Sequence, residues 1–237
     1  GERSMLGLVA DDLSRAGALV TFNGKSFDAP VVETRYLFHR ETSPCSALPH
    51  FDVLHPARRF WGPASDVGCS LATLETQVLG VRRAGDVPGL EIPARYFHFI
   101  RTGDPRPLTA VIEHNCLDLL SLAGLTARLL LLAEAGPDAA RYAHEALALG
   151  RVYARAGLLA AEEAFERAVT LSGSVIRLSL VKVEALRALA IDARRGRRYD
   201  LAAGHWRRLL EMPECPRQVS REAQLDGHLV AEHLDQT

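Results

Sequence analysis

The spacing of apolar residues changes period along the chain, and each change marks an element. Residues 4–17, SMLGLVADDLSRAG, carry apolar side chains at helical spacing and predict a helix that stops at Gly17. ALVTF, residues 18–22, is a short run rich in β-formers, bounded by Asn23-Gly24; it predicts a buried strand followed by a turn. Ser26 is the predicted cap of the next helix, which tolerates Pro30 near its start and runs through VVETRYLFHR. After a loop bracketed by Pro44 and Pro49, HFDVLH predicts a second short strand. PARRFW, LATLETQVLG and ARYFHFIR then predict successive helices or helical turns.

From Pro107 to Ala135 one long helical pattern follows, with Gly124 the only weak point in its interior. Gly136-Pro137 ends it and is the predicted domain boundary, separating residues 1–135 from residues 136–237. Beyond it the strand signal nearly vanishes. LGRVYARAGLLAAEEAFERAV (149–169) and LAIDARRGRRYDLAAGHWRRLL (189–210) each place a Gly at a helix-to-helix turn, then an Ala-rich helix with one aromatic, Phe165 or Trp206. These pairs resemble tetratricopeptide-type helical hairpins, although Gly157 and Gly196 lie further apart than the usual period of about 34 residues.

Composition narrows the class. With 237 residues, 48% hydrophobic and 24% charged, the chain reads as a soluble globular protein of one large or two ordinary domains. Its longest uninterrupted apolar run, Leu129 to Ala133, is far short of the roughly 20 residues a bilayer span needs, so no membrane span is expected. GERSMLGL lacks the basic-then-apolar pattern of a secretory signal, which predicts a cytoplasmic protein. Cys45, Cys69, Cys116 and Cys215 form no C-x-x-C pair and are expected to be reduced and buried. A formal net charge of -1 gives no global attraction to nucleic acid, so any such binding rests on local patches.

Two places carry candidate chemistry. EHNCLD sets His114 and Asp118 four residues apart, on one face of the long helix. NGKSFDAP sets Asp28 just past a strand. Here the chain resembles the YprB-type ribonuclease H-like domain, a branch of the DEDD exonuclease superfamily. Asn23, Phe27, Asp28 and Pro30 match that superfamily's N-x-x-x-F-D-x-P motif, and His114 with Asp118 matches its late-helix motif. HFDVLHPARRFW, CSLATLETQVLG and DVPGLEIPARYFHFIRTGD extend the resemblance over roughly residues 1–133.

The resemblance implies a metal-dependent 3'-5' exonuclease acting on nucleic acid that is single-stranded or has a free 3' end. Asp28 and Asp118 would be metal carboxylates and His114 would orient or deprotonate the attacking water. The implied cofactor is a pair of Mg²⁺ or Mn²⁺ ions about 4 Å apart, clamping the attacking and leaving oxygens. Asn23 and Lys25 in the turn, with Arg58 and Arg59, are the candidate substrate contacts, Trp61 being a possible stacking partner for a base. Each has a plainer alternative: Arg58, Arg59 and Trp61 as a solvated helix face with one buried aromatic, and Asp52 as a turn cap rather than a site acid.

One motif is missing. The superfamily's Asp-x-Glu strand is absent, and Asp11-Asp12 lies in a helical pattern that cannot replace it. The expected fold is therefore an α/β ribonuclease H-like domain lacking its leading strands, mostly helical with a small parallel sheet remnant, joined to an all-α helical-hairpin domain. Two of four expected carboxylates being absent, the chain is expected to be weak or inactive, either as a fragment of a larger protein or as a degenerate family member. The alternative is a non-catalytic scaffold binding nucleic acid or, through its C-terminal helices, a protein partner. His50, His55 and His98 have no zinc-like spacing, and RRGRR (194–198) reads as a solvated basic loop.

Overall fold

The computed structural model describes residues 1–62, 68–173, 175 and 179–234. They form two compact units, residues 1–129 and 130–237.

The first unit starts with α1 (Glu2–Ser14), whose last carbonyls are met by the N–H of Arg15, so the helix ends before Gly17. Strand β1 (Leu19–Thr21) pairs in parallel with β2 (His50–Asp52), in the register Leu19 to His50, Val20 to Phe51 and Thr21 to Asp52. These two strands form the sheet of the described residues, and everything else regular is helical. Between the strands lies α2 (Asp28–Phe38). Phe27, not Ser26, stands at its N-cap, without a side-chain cap bond. The preceding turn replaces the cap, because the Asn23 carbonyl accepts from the N–H of Ser26 and Phe27, and the Gly24 carbonyl accepts from Ala29.

Helix α3 (Leu54–Phe60) follows β2 directly, then α4 (Leu71–Leu74), which widens into a π-turn over Glu75–Leu79. Helices α5 (Ile92–Thr102) and α6 (Arg106–Ala135) complete the order. Leu6, Tyr36, Val53, Leu54, Ala57, Phe60, Trp61 and Leu74 are buried in this unit, and the Tyr36 hydroxyl donates to the Leu6 carbonyl at 2.6 Å.

Helix α6 runs as long as its pattern predicts. With the turn that follows it, Arg106–Ala139 is long and apolar enough by length and composition to cross a bilayer. An uninterrupted run was therefore too strict a measure: His114, Asp118, Ser121 and Arg128 break the run without making the helix polar. The compact units divide at Leu129–Leu130, inside α6, whereas the helix itself ends at Gly136; compactness and helix continuity are different criteria. All four cysteines are free, as expected, but none is buried and Cys116 is exposed.

The second unit packs α7 (Ala143–Ala156) on α8 (Ala160–Ser172), α8 on α9 (Ser179–Arg195), α9 on α10 (Tyr199–Leu210) and α10 on α11 (Arg217–Leu234). Gly157 takes the left-handed conformation that ends α7. In the second hairpin that conformation falls on Arg197 (φ 56°), not on Gly196.

Candidate active site

The strand-to-helix turn is built around one carboxylate. Asp52, at the end of β2 and 4% exposed, accepts from the Asn23 N–H at 2.7 Å, the Lys25 N–H at 3.0 Å and the Leu54 N–H at 3.1 Å. Burial by itself would push this carboxyl up, yet the three donors outweigh it and hold it below the usual carboxylate range. Asp52 is thus the turn cap, tying β1 to the start of α3. Asn23 sits at φ 64°, a left-handed position that Asn accepts more readily than other side chains do. A Cβ on Gly24 would lie 2.5 Å from that of Thr21, so only glycine fits. The turn delivers Asp28 as the first residue of α2, exposed beside the exposed Lys25.

A second cluster lies on α6. His114 Nδ1 stands 2.7 Å from Asp86 Oδ1, and its Nε2 stands 3.5 Å from Asp118 Oδ2. The Arg83 guanidinium binds three acids at once: Glu75 Oε2 at 2.6 Å, Asp118 Oδ1 at 2.7 Å and Asp86 Oδ2 at 3.0 Å. Ser121 donates to Glu75 Oε2 at 2.7 Å. The Arg83 hydrogen bonds hold the Glu75 carboxyl below the ordinary range against its burial; the His114 contact does the same for Asp86. The Arg83 guanidinium is pushed further up by Glu75, against its burial.

Packing explains why this cluster forms. Leu79, at the end of the π-turn, lies so close to Gly124 that a Cβ there would meet its Cδ1 at 3.0 Å. The glycine that weakens α6 as an isolated helix lets the π-turn approach, one turn from Ser121. Glu75 was detectable in principle: Leu71, Leu74, Glu75, Val78 and Leu79 follow the i, i+3, i+4, i+7, i+8 pattern, so an acid occupies an apolar stripe. Arg83 and Asp86 had no such signal, because their partners on α6 lie 35 and 28 residues away.

The structure thus brings His114 and Asp118 together, and adds Glu75, Arg83, Asp86 and Ser121. Asp28 has no hydrogen bond or ion pair to either of the first two among the described residues. Nor does any group of three or more His, Cys, Asp or Glu among them stand ready to hold a metal ion. Asp118, the acid on α6 that the resemblance assigns to a metal, already faces Arg83. The donor set as it stands does not fit a two-ion centre. Arg58 and Arg59 are exposed on the last turn of α3, while Trp61 is 3% exposed and cannot offer its face to a base. His50 bonds Thr21 Oγ1 across the strand pair at 2.8 Å.

Comparison with known proteins places this geometry. The ribonuclease H superfamily model matches residues 1–130, more than half of the chain, and the chain belongs to that superfamily. Its members generally work with divalent metal ions and act on nucleic acid. Within it the domain is of the YprB type: the chain is 48% identical over 111 residues to "Uncharacterized protein YprB" of Bacillus subtilis (strain 168), covering 46% of this chain and 26% of that relative. No solved structure matches the chain.

Proposed function

We propose that the protein is a nuclease-family hydrolase, a 3'-5' exonuclease cleaving phosphodiester bonds of nucleic acid that is single-stranded or has a free 3' end. The observation that carries this is the His114–Asp118 pair on one face of α6, within the stretch that matches the superfamily. His114 is the group suited to take a proton from the attacking water, an imidazole being the side chain best poised for that at neutral pH. Asp28 and Asp118 are the proposed metal carboxylates and Mg²⁺ or Mn²⁺ the proposed ion, both inferred from the family. Asn23, Lys25, Arg58 and Arg59 are the proposed phosphate contacts, of which Lys25, Arg58 and Arg59 have exposed side chains. Residues 1–135 are the proposed nuclease domain and 136–237 a tetratricopeptide-like one, in a cytoplasmic protein.

Activity of these 237 residues is expected to be weak, since Asp118 is already paired with Arg83 and neither described strand bears Asp-x-Glu. The same ion pair favours a second reading, a non-catalytic scaffold that grips nucleic acid and recruits a protein through its C-terminal helices. Labelled single-stranded DNA and RNA incubated with Mn²⁺ or Mg²⁺ separate the two. Slow, metal-dependent shortening that Asp118→Ala abolishes is the expected result; no metal-dependent loss at any protein concentration leaves the scaffold.

A further inference from the structure

We propose that Asp86 is the positioning residue for His114, fixing its ring as the Nδ1–H tautomer so that Nε2 is the nitrogen free to take a proton. This rests on the nuclease reading for its purpose, and on geometry for its substance.

The two ring nitrogens are held unequally. Nδ1 is at 2.7 Å from Asp86 Oδ1, a full hydrogen bond in which the nitrogen must donate, since a carboxylate only accepts. Nε2 is 3.5 Å from Asp118 Oδ2, beyond the usual 2.7–3.2 Å for N–H···O. The first contact therefore selects the tautomer, and the second leaves the other nitrogen facing a carboxylate with no direct bond to it.

Asp86 is itself held at both carboxylate oxygens. Its Oδ1 also accepts from the Val87 N–H at 2.8 Å, and its Oδ2 accepts from Arg83 at 3.0 Å. Arg83 in turn is anchored by the buried Glu75. The loop after the π-turn thus acts as a brace: Glu75 holds Arg83, Arg83 holds Asp86, and Asp86 holds the imidazole. A carboxylate bound to one nitrogen of a histidine sets which nitrogen is basic, the same division of labour by which a buried Asp orients the histidine of a serine protease. Asp118, four residues on, marks the side of the ring where the reacting water would lie.

The test is ¹⁵N nuclear magnetic resonance of the full chain, with the His114 ring assigned by its loss in His114→Gln. Long-range proton–nitrogen couplings distinguish the Nδ1–H, Nε2–H and doubly protonated forms. Among the singly protonated forms, the wild-type ring is expected to be chiefly Nδ1–H. In Asp86→Ala that preference is lost and the Nε2–H form takes over. Asp86→Asn, whose amide oxygen can still accept from both the Val87 N–H and Nδ1–H, is the folded control and is expected to keep the preference. A wild-type ring that is chiefly Nε2–H, or an Asp86→Ala ring that keeps the wild-type tautomer, overturns the proposal. A purely structural role for Asp86 would change stability without moving the tautomer. The Mn²⁺-dependent shortening assay reports separately: its absence in the wild type removes the nuclease reading, while the tautomer still decides whether Asp86 sets the ring.

Discussion

Arg83 donates to Glu75 Oε2 at 2.6 Å, and both side chains are almost wholly buried, at 9% and 3% exposure. A paired buried charge is tolerated, but one stripped of its partner costs several kcal/mol. Arg83→Ala is therefore expected to destabilise the first unit by about 3–5 kcal/mol in urea unfolding. Arg83→Lys is expected to recover only part, since an ammonium cannot reproduce the guanidinium fork that spans three acids. The double variant Glu75→Leu, Arg83→Met should be closer to wild type than Arg83→Ala. An Arg83→Ala loss below about 1 kcal/mol would show that Glu75 finds water instead.

The Asp52 turn makes a second expectation. Removing its carboxylate leaves the N–H groups of Asn23, Lys25 and Leu54 without their acceptor. Asp52→Ala should cost about 2–4 kcal/mol, at roughly 1–3 kcal/mol for each buried donor left unmet and with some relaxation. Asp52→Asn keeps one acceptor oxygen and should cost less. Equal stability of the two variants would mean that the turn is held by its backbone bonds alone.

The two units should respond to acid in different windows, and the two tryptophans report on them separately, Trp61 in the first and Trp206 in the second. Asp52, Glu75 and Asp86 are held below their ordinary values, so their contribution is present above the unfolded carboxylate range of about 4 and is lost as pH falls below it. In the second unit burial pushes the His144 and His205 imidazoles down, with Glu166 opposing and Arg208 reinforcing the effect at His205. The unfolded chain then takes up protons first, so stability drops as pH falls through about 6.5. Urea midpoints followed in Trp61→Phe should decline between pH 7.5 and 5.5, and His205→Leu should flatten that decline. In Trp206→Phe the main decline should come below about pH 4.5. Coincident transitions in both single-tryptophan variants would refute separate windows.

Gly150 lies within α7, where a Cβ would come 2.6 Å from the Phe165 ring. Alanine normally gains about 1 kcal/mol over glycine inside a helix, but overpacking a buried contact costs about 1–3 kcal/mol. The clash should win, because Phe165 is 4% exposed and has nowhere to move. Gly150→Ala is expected to lower the thermal midpoint, and Gly150→Ala with Phe165→Leu to restore part of it. A stabilised Gly150→Ala would show that α7 and α8 can separate at little cost.

How much of this was readable beforehand depends on the distance over which each feature acts. Both strands and the helices as far as α10 were visible as changes of apolar period, and the family could be recognised from NGKSFDAP and EHNCLD, because those signals are local. His114 and Asp118 share a face by helix geometry alone, so their proximity followed from spacing. Two local inferences failed where another local group won: the turn carbonyls displaced Ser26 as the cap, and Arg15 closed α1 ahead of Gly17.

What the sequence alone determined, then, was the order of elements, the superfamily motifs and the placing of His114 above Asp118 on one helix. Only the tertiary structure decided that Asp52 serves the turn, that Trp61 lies inside, and that Glu75, Arg83 and Asp86 close on α6. Those pairings join side chains 8 to 46 residues apart. Such contacts are chosen by which surfaces pack, here Leu79 against Gly124, and burial then compels each charge to find a partner.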